Sequence, residues 1–175
     1  TNHVPIIQAP MAGANGSAMV IAVSEAGGLG SLPCAILSAA KARAEIGVIR
    51  QQTAKPVNVN FFCHEPAAPD QDRDTAWKRH LAAYYEEFGL DASVSAPAVN
   101  RAPFDEAMCQ IVEDTKPEVV SFHFGLPAKP FLERVKAADS RVLSSATTVE
   151  EARWLEDNGC DAIIAQGYEA GGHRG

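Results

Sequence analysis

Six short runs of β-branched and apolar residues recur along this chain, and stretches with helical spacing fill most of the gaps between them. The runs are Pro5–Ala9, Leu29–Leu32, Val57–Phe62, Val119–Phe124, Val142–Ser145 and Ala162–Gln166. They are near-continuous rather than alternating, which is the pattern of parallel strands covered on both faces. Consecutive runs start 20 to 28 residues apart, with one exception: Val57 and Val119 are separated by 62 residues. The excess holds a Pro/Asp-rich stretch, Glu65–Asp74, and a helical segment carrying Trp77, Leu81, Tyr84, Tyr85 and Phe88. It reads as an insertion after the third strand, over one end of the sheet.

The helical stretches carry their own boundary signals. Ser17–Ala26 is closed by Gly27-Gly28, a C-cap pair. Ser38–Gln52 stops short of Pro56. Phe104, Met108, Ile111 and Val112 form one apolar face at i, i+4, i+7, i+8. Pro130 suits the first turn of Phe131–Ala138. Thr148 and Glu151 have capping-box spacing for a helix that ends at Asn158-Gly159.

Six βα steps in one direction leave two architectures, a doubly wound sheet or a (β/α)8 barrel cut after its sixth strand. No GxGxxG follows the first run, which disfavours a dinucleotide fold. A full barrel needs about 250 residues, so at 175 residues the barrel reading makes this chain a fragment.

Charge and cysteine content narrow the function classes. A formal net charge of −7, with no basic run, argues against nucleic acid or an anionic membrane as partner. No apolar stretch approaches the roughly 20 residues of a membrane span. Cys34, Cys63, Cys109 and Cys160 are far apart, without metal-site or CxxC spacing, and read as free thiols of a cytoplasmic protein.

In either architecture ligands collect at the C-terminal ends of parallel strands. Those ends read Pro10-Met11-Ala12-Gly13, Pro33-Cys34, Asn60-Phe61-Phe62, His123-Phe124-Gly125, Ser145-Ala146-Thr147 and Gln166-Gly167. Small, amide and imidazole groups dominate, without paired carboxylates or a metal cluster. Such a lining suits a planar, hydrogen-bonding cofactor. His173 follows Gly171 and Gly172 in a loop, as a base or imidazolium near a ligand or as an exposed loop histidine. His123 is either a site residue or a core histidine satisfied by backbone. His3, His64 and His80 read as surface or loop groups. Asn58 and Asn60 share one strand face, so two amides there need partners. Ser145 approaches His173 only if the last two strands pair, and no acidic third member for a hydrolase triad is evident.

Five blocks, in order, resemble one family: Ile6–Gly13, Ser24–Gly30, Asn58–Phe62, Ser121–Gly125 and Gln166–Gly175. Together they are similar to nitronate monooxygenase, formerly 2-nitropropane dioxygenase, and the Gln-Ala-Pro-Met and Ser-Phe-His-Phe-Gly forms resemble its class I branch. The resemblance implies an FMN-dependent (β/α)8 TIM barrel, here an N-terminal portion of about six βα units, with residues 63–102 as an inserted substrate-side segment. It implies oxidation of alkyl nitronates by O2 to a carbonyl compound and nitrite. By the same resemblance His173 is the catalytic histidine and His123 assists substrate binding. Pro10, Met11, Asn60, Gln166, Gly171 and Gly172 match positions lining the flavin. The partners implied are a small nitronate or nitroalkane and O2, with homo-oligomerisation open. The family continues through two more βα units that grip the FMN phosphate, and this sequence has neither, so a longer parent chain is expected. A related FMN barrel reductase using NAD(P)H, and an inactive partial barrel, are the competing readings.

Overall fold

A computed structural model of the chain describes residues 3–66, 68, 70–94 and 102–175. They fall into two compact units, Pro66–Val99 on the one hand and the remaining residues on the other. Of the expected 63–102 insertion, residues 67, 69 and 95–101 lie outside the described residues.

The larger unit alternates helices and strands. Its elements are α1 (Ser17–Glu25), β1 (Gly30–Pro33), α2 (Ala39–Gln52), β2 (Val57–Phe62), then, beyond the smaller unit's α3 (Gln71–His80) and α4 (Ala82–Glu87), α5 (Glu106–Thr115), β3 (Val119–His123), α6 (Lys129–Ala137), β4 (Arg141–Ala146), α7 (Val149–Asp157) and β5 (Ala162–Ala165). All strand pairs are parallel and the order is β1-β2-β3-β4-β5. A doubly wound sheet reverses its strand order at a switch point. This sheet never reverses, so it is an α/β wall of the barrel type.

The first expected strand, Pro5–Ala9, is not one. It makes a single parallel bridge, Ile7 to Leu29. The reason is in the side chains that follow. Pro10 has no N–H to extend a ladder. Instead Gln8 Oε1 accepts from Ser31 N at 3.0 Å, and Asn15 Nδ2 donates to Ser31 O at 3.1 Å. Side-chain amides thus satisfy the β1 groups that a strand would have taken. The described chain therefore has five strands and a bridge in place of six strands, and the smaller unit follows β2.

Side-chain parity splits each strand. Val57, Val59 and Phe61 of β2, Val120 and Phe122 of β3, and Val142 of β4 join one buried core with Val20, Ile46, Ile49, Ile111, Val112 and Val135 from the helices. Successive strand residues point to opposite faces, so Ser31, Asn58, Asn60, Phe62, Ser121, His123 and Ser145 share the other face. That face is polar. Asn58 Nδ2 donates to Ser31 Oγ and Ser121 Oγ at 3.0 and 2.9 Å, and Asn60 Nδ2 donates to Ser121 Oγ at 3.0 Å. The amide nitrogens of both asparagines thus find hydroxyl partners, while among the described residues Asn58 Oδ1 is buried without one.

Helix ends follow the sequence signals. Ser38 caps α2, Asp105 caps α5, and Thr148 with Glu151 forms the full capping box of α7. Gly30 lets α1 lie close on β1: a Cβ there would stand 2.2 Å from the Val20 carbonyl oxygen. Arg134 of α6 reaches α5 through two bonds to Glu113 and one to Glu106. In the smaller unit the aromatic helix expected across residues 77–88 divides at Leu81 into α3 and α4. Neither has a buried residue, and Lys78 Nζ donates to the Ala92 carbonyl at 2.9 Å.

Candidate active site

Three strand ends and one loop converge at the C-terminal edge of the polar face. Phe62 pairs with His123 in the β2–β3 register. One step beyond the end of the β3–β4 ladder, His123 stands level with Ser145, whose own partner is Ile164 of β5. His123 Nδ1 and Ser145 Oγ are hydrogen-bonded at 2.5 Å. Proximity of Ser145 to His173 was conditional on pairing of the last two strands. The last two strands do pair, but it is His123 that takes the hydroxyl.

After β5 the chain passes through the loop 166–175 and returns over this edge. Gln166 holds the return: Nε2 donates to the His173 carbonyl at 2.8 Å and Oε1 accepts from Gly175 N at 2.9 Å. Both amide atoms of Gln166 are therefore spent on the loop. A Cβ placed on Gly175 would stand 3.6 Å from Ser145 Oγ and 3.7 Å from His123 Cε1. The His173 ring arrives 5.4 Å from Phe62, 6.0 Å from Phe124 and 6.4 Å from His123, by ring centroids.

Phe62 and Phe124 form the floor of this cluster, edge to face at 5.1 Å. Phe124 has φ 66°, a left-handed backbone that a bulky residue rarely adopts, and Gly125 follows at φ 95°. Such strain, on the order of 1–3 kcal/mol, persists where surrounding structure over-determines it. Here the turn carries the chain away from β3 while the Phe124 ring stays 4.1 Å from the His123 ring.

His64, read from the sequence as a surface or loop group, lies on the loop after β2 and belongs to the cluster as well. It is half-buried, its ring lies 6.3 Å from Phe62 and 6.2 Å from Phe124, and Nδ1 is buried without a partner. Parity along the run Phe62-Cys63-His64 was the available signal. By contrast His3 is exposed against Gly27, and His80 stacks on Trp77 at 5.3 Å in the smaller unit.

His123 Nε2 is buried and makes no hydrogen bond. Burial pushes the His123 imidazole below its ordinary pKa of 6.5, and the backbone of His173 only partly offsets this. Burial thus favours the neutral form of the ring. Asn60 is buried, and among the described residues its Oδ1 takes no bond. Pro10 and the exposed Met11 sit on the loop docked against β1, with Met11 N donating to Asn15 Oδ1 at 2.8 Å. Gly171 and Gly172 have open space where a Cβ would be.

Other chemistries lack their parts. The thiols of Cys34 and Cys63 are pushed up to about 12 by burial, so neither offers a thiolate near neutral pH. No carboxylate bonds to His123, so the Ser145–His123 contact has no acidic third member among the described residues. Among the same residues no group of His, Cys, Asp or Glu is placed to hold a metal. Among the described residues no helix is long and apolar enough to cross a membrane.

A wall of parallel strands whose carboxyl ends gather imidazoles, amides and glycines defines a barrel-type α/β protein. The family model described as nitronate monooxygenase matches residues 1–175, and the chain belongs to that family. The nitronate monooxygenases of Paraburkholderia phytofirmans and Pseudomonas aeruginosa are 45% and 44% identical to it over 172 residues. Each alignment covers 98% of this chain, and 47% and 49% of the relative. The chain thus spans about half the length of the curated relatives it matches. Among solved structures, nitroalkane oxidase from Streptomyces ansochromogenes superposes with TM-score 0.86 at 37% identity, covering 99% of this chain and 49% of that one. FabK from Thermotoga maritima superposes with TM-score 0.69 at 27% identity, covering 98% and 43%.

Proposed function

We propose that this chain carries the substrate-activating half of an FMN-dependent nitronate monooxygenase, which oxidises alkyl nitronates with O2 to a carbonyl compound and nitrite. The observation that carries this reading is the convergence of His123 and His173 above the Phe62–Phe124 pair, with Nε2 of His123 buried and unpaired. An unpaired buried nitrogen costs free energy unless a ligand completes it.

The residues present fit a flat, hydrogen-bonding ligand such as FMN. Asn60 Oδ1 is a free acceptor, and the backbone at Gly171 and Gly172 is open to close approach. Pro10, Met11, Asn60, Gln166, Gly171 and Gly172 are the residues that would hold the ring system. In Gln166 the contribution is indirect, because its amide anchors the loop that bears His173. FMN, when bound, supplies the electron transfer that no side chain here can perform.

The chain's own residues handle charge and protons. His173, when neutral, takes the proton from the carbon next to the nitro group of a neutral nitroalkane. Once protonated, the same ring offsets the charge of the nitronate. His123 offers a ring nitrogen to a nitro oxygen. Phe62 and Phe124 exclude water from one side, which strengthens both interactions. We place this reaction in the cytoplasm, where free thiols such as these four persist.

The reading is tested with the full-length protein in an oxygen electrode. Oxygen uptake and nitrite release on addition of ethyl nitronate are the expected result. Rapid anaerobic bleaching of bound flavin by NADH, with none by the nitronate, would reject it in favour of a reductase.

A further inference from the structure

We propose that Ser145 is a positioning residue of this site: its hydroxyl donates to Nδ1 of His123, holds the ring as the Nε2–H tautomer, and so turns an N–H toward the anionic oxygens of the substrate. The inference rests on the nitronate reading, because the anionic oxygens of that ligand select the tautomer; the tautomer itself is observed independently of turnover.

Three observations carry it. The Nδ1–Oγ distance is 2.5 Å, and among the described residues it is the only hydrogen bond of the Ser145 side chain. Nε2, at the other end of the ring, is buried and unpartnered. Ser145 is itself half-buried on β4, where the β4–β5 ladder fixes its backbone through the pairing with Ile164. The hydroxyl is thus held by a strand, not by a loop.

A neutral imidazole has one N–H, and the partner of one nitrogen decides which nitrogen carries it. A serine hydroxyl can donate or accept. If Nδ1–H donated to Oγ, the buried Nε2 would present a lone pair to a nitronate oxygen, and two lone pairs would face each other. If Oγ–H donates to Nδ1, both ring nitrogens are satisfied once the anion binds. Only the second arrangement leaves no buried polar atom in conflict. Ser145 thus does for His123 what an outer partner does for a ligating histidine, orienting the ring and setting its tautomer. It need not touch the substrate.

The test uses the full-length, flavin-loaded protein with 15N-labelled histidine, with the His123 resonances assigned from His123→Gln. In the native protein Nε2 should show the protonated, pyrrole-type shift and Nδ1 the unprotonated one. Ser145→Ala should lose this signature and average the two tautomers. It should raise KM for ethyl nitronate roughly tenfold, with kcat changed less than about twofold, the pattern of a lost binding contact. Ser145→Thr keeps the hydroxyl and should restore both readouts, which separates positioning from a packing defect. A native protein with Nδ1 protonated would overturn the proposal, as would an unchanged tautomer and KM in Ser145→Ala. A protein that oxidises no nitronate yet loses the Nε2–H signature in Ser145→Ala would reject the functional reading and leave the role of Ser145 standing.

Discussion

His123 and His173, from β3 and from the loop after β5, hold their ring centroids 6.4 Å apart at an interplanar angle of 61°. Only the His123 imidazole is bonded to a strand residue of the sheet, Ser145. His173 rides on a loop whose backbone is anchored by Gln166. One imidazole is fixed and the other is loop-borne, which suits a division between holding the substrate and moving its proton.

His173→Asn is expected to separate the two tasks. Turnover of a neutral nitroalkane should fall by about 100-fold or more, within the range of a lost general base. Turnover of preformed nitronate should fall roughly tenfold or less. Steady-state rates on both forms of one substrate measure this, and equal losses would leave His173 with an electrostatic role alone.

Burial holds the His123 imidazole below its ordinary pKa of 6.5. The unfolded chain then binds a proton more readily than the folded one. Between the folded pKa and 6.5 stability rises with pH, and above 6.5 this contribution is flat. His123→Gln should remove that part of the slope. Urea midpoints from about pH 5 to about pH 8 read it, and a slope unchanged by the substitution would contradict the assignment.

His64→Ala should loosen the Phe62–Phe124 floor on which His173 lies. We expect kcat/KM for nitronate to drop roughly fivefold, about 1 kcal/mol of transition-state stabilisation. Flavin content measured by absorbance should stay unchanged. Full activity in this variant would remove His64 from the site.

Two glycines make a paired stability test. Gly30→Ala drives a methyl to 2.2 Å from the Val20 carbonyl and should cost ~2–4 kcal/mol as α1 is displaced. Gly47→Ala, in the interior of α2 with nothing beyond its own helix backbone within 4 Å of the new methyl, should stabilise by about 0.5–1 kcal/mol. Chemical denaturation of both variants checks opposite signs from one chemical change.

Much of the scaffold was legible from local pattern. The runs Val57–Phe62 and Val119–Phe124 became β2 and β3 to within a residue, because their apolar continuity reflects burial on both faces. Thr148 and Glu151 formed their capping box because both bonds are local to one turn. Pro5–Ala9 failed as a strand because its competitors, the amides of Gln8 and Asn15, act through a contact with Ser31 that spacing does not reveal. His64 lies on a loop, as its neighbours suggest, but its approach to the Phe124 ring comes from a partner distant in the chain that those neighbours do not state.

The sequence by itself determined the βα alternation, the parallel sense of the sheet and the polar residues at strand ends, since each depends on periodicity and on chemistry within a few residues. Only the tertiary structure decided that Ser145 bonds His123, that Gln166 anchors the His173 loop, and that three imidazoles gather around Phe62 and Phe124. These contacts depend on the register between strands distant in the chain. A one-residue slip would turn each of those side chains to the opposite face, and it is the packing of the whole apolar core that sets that register.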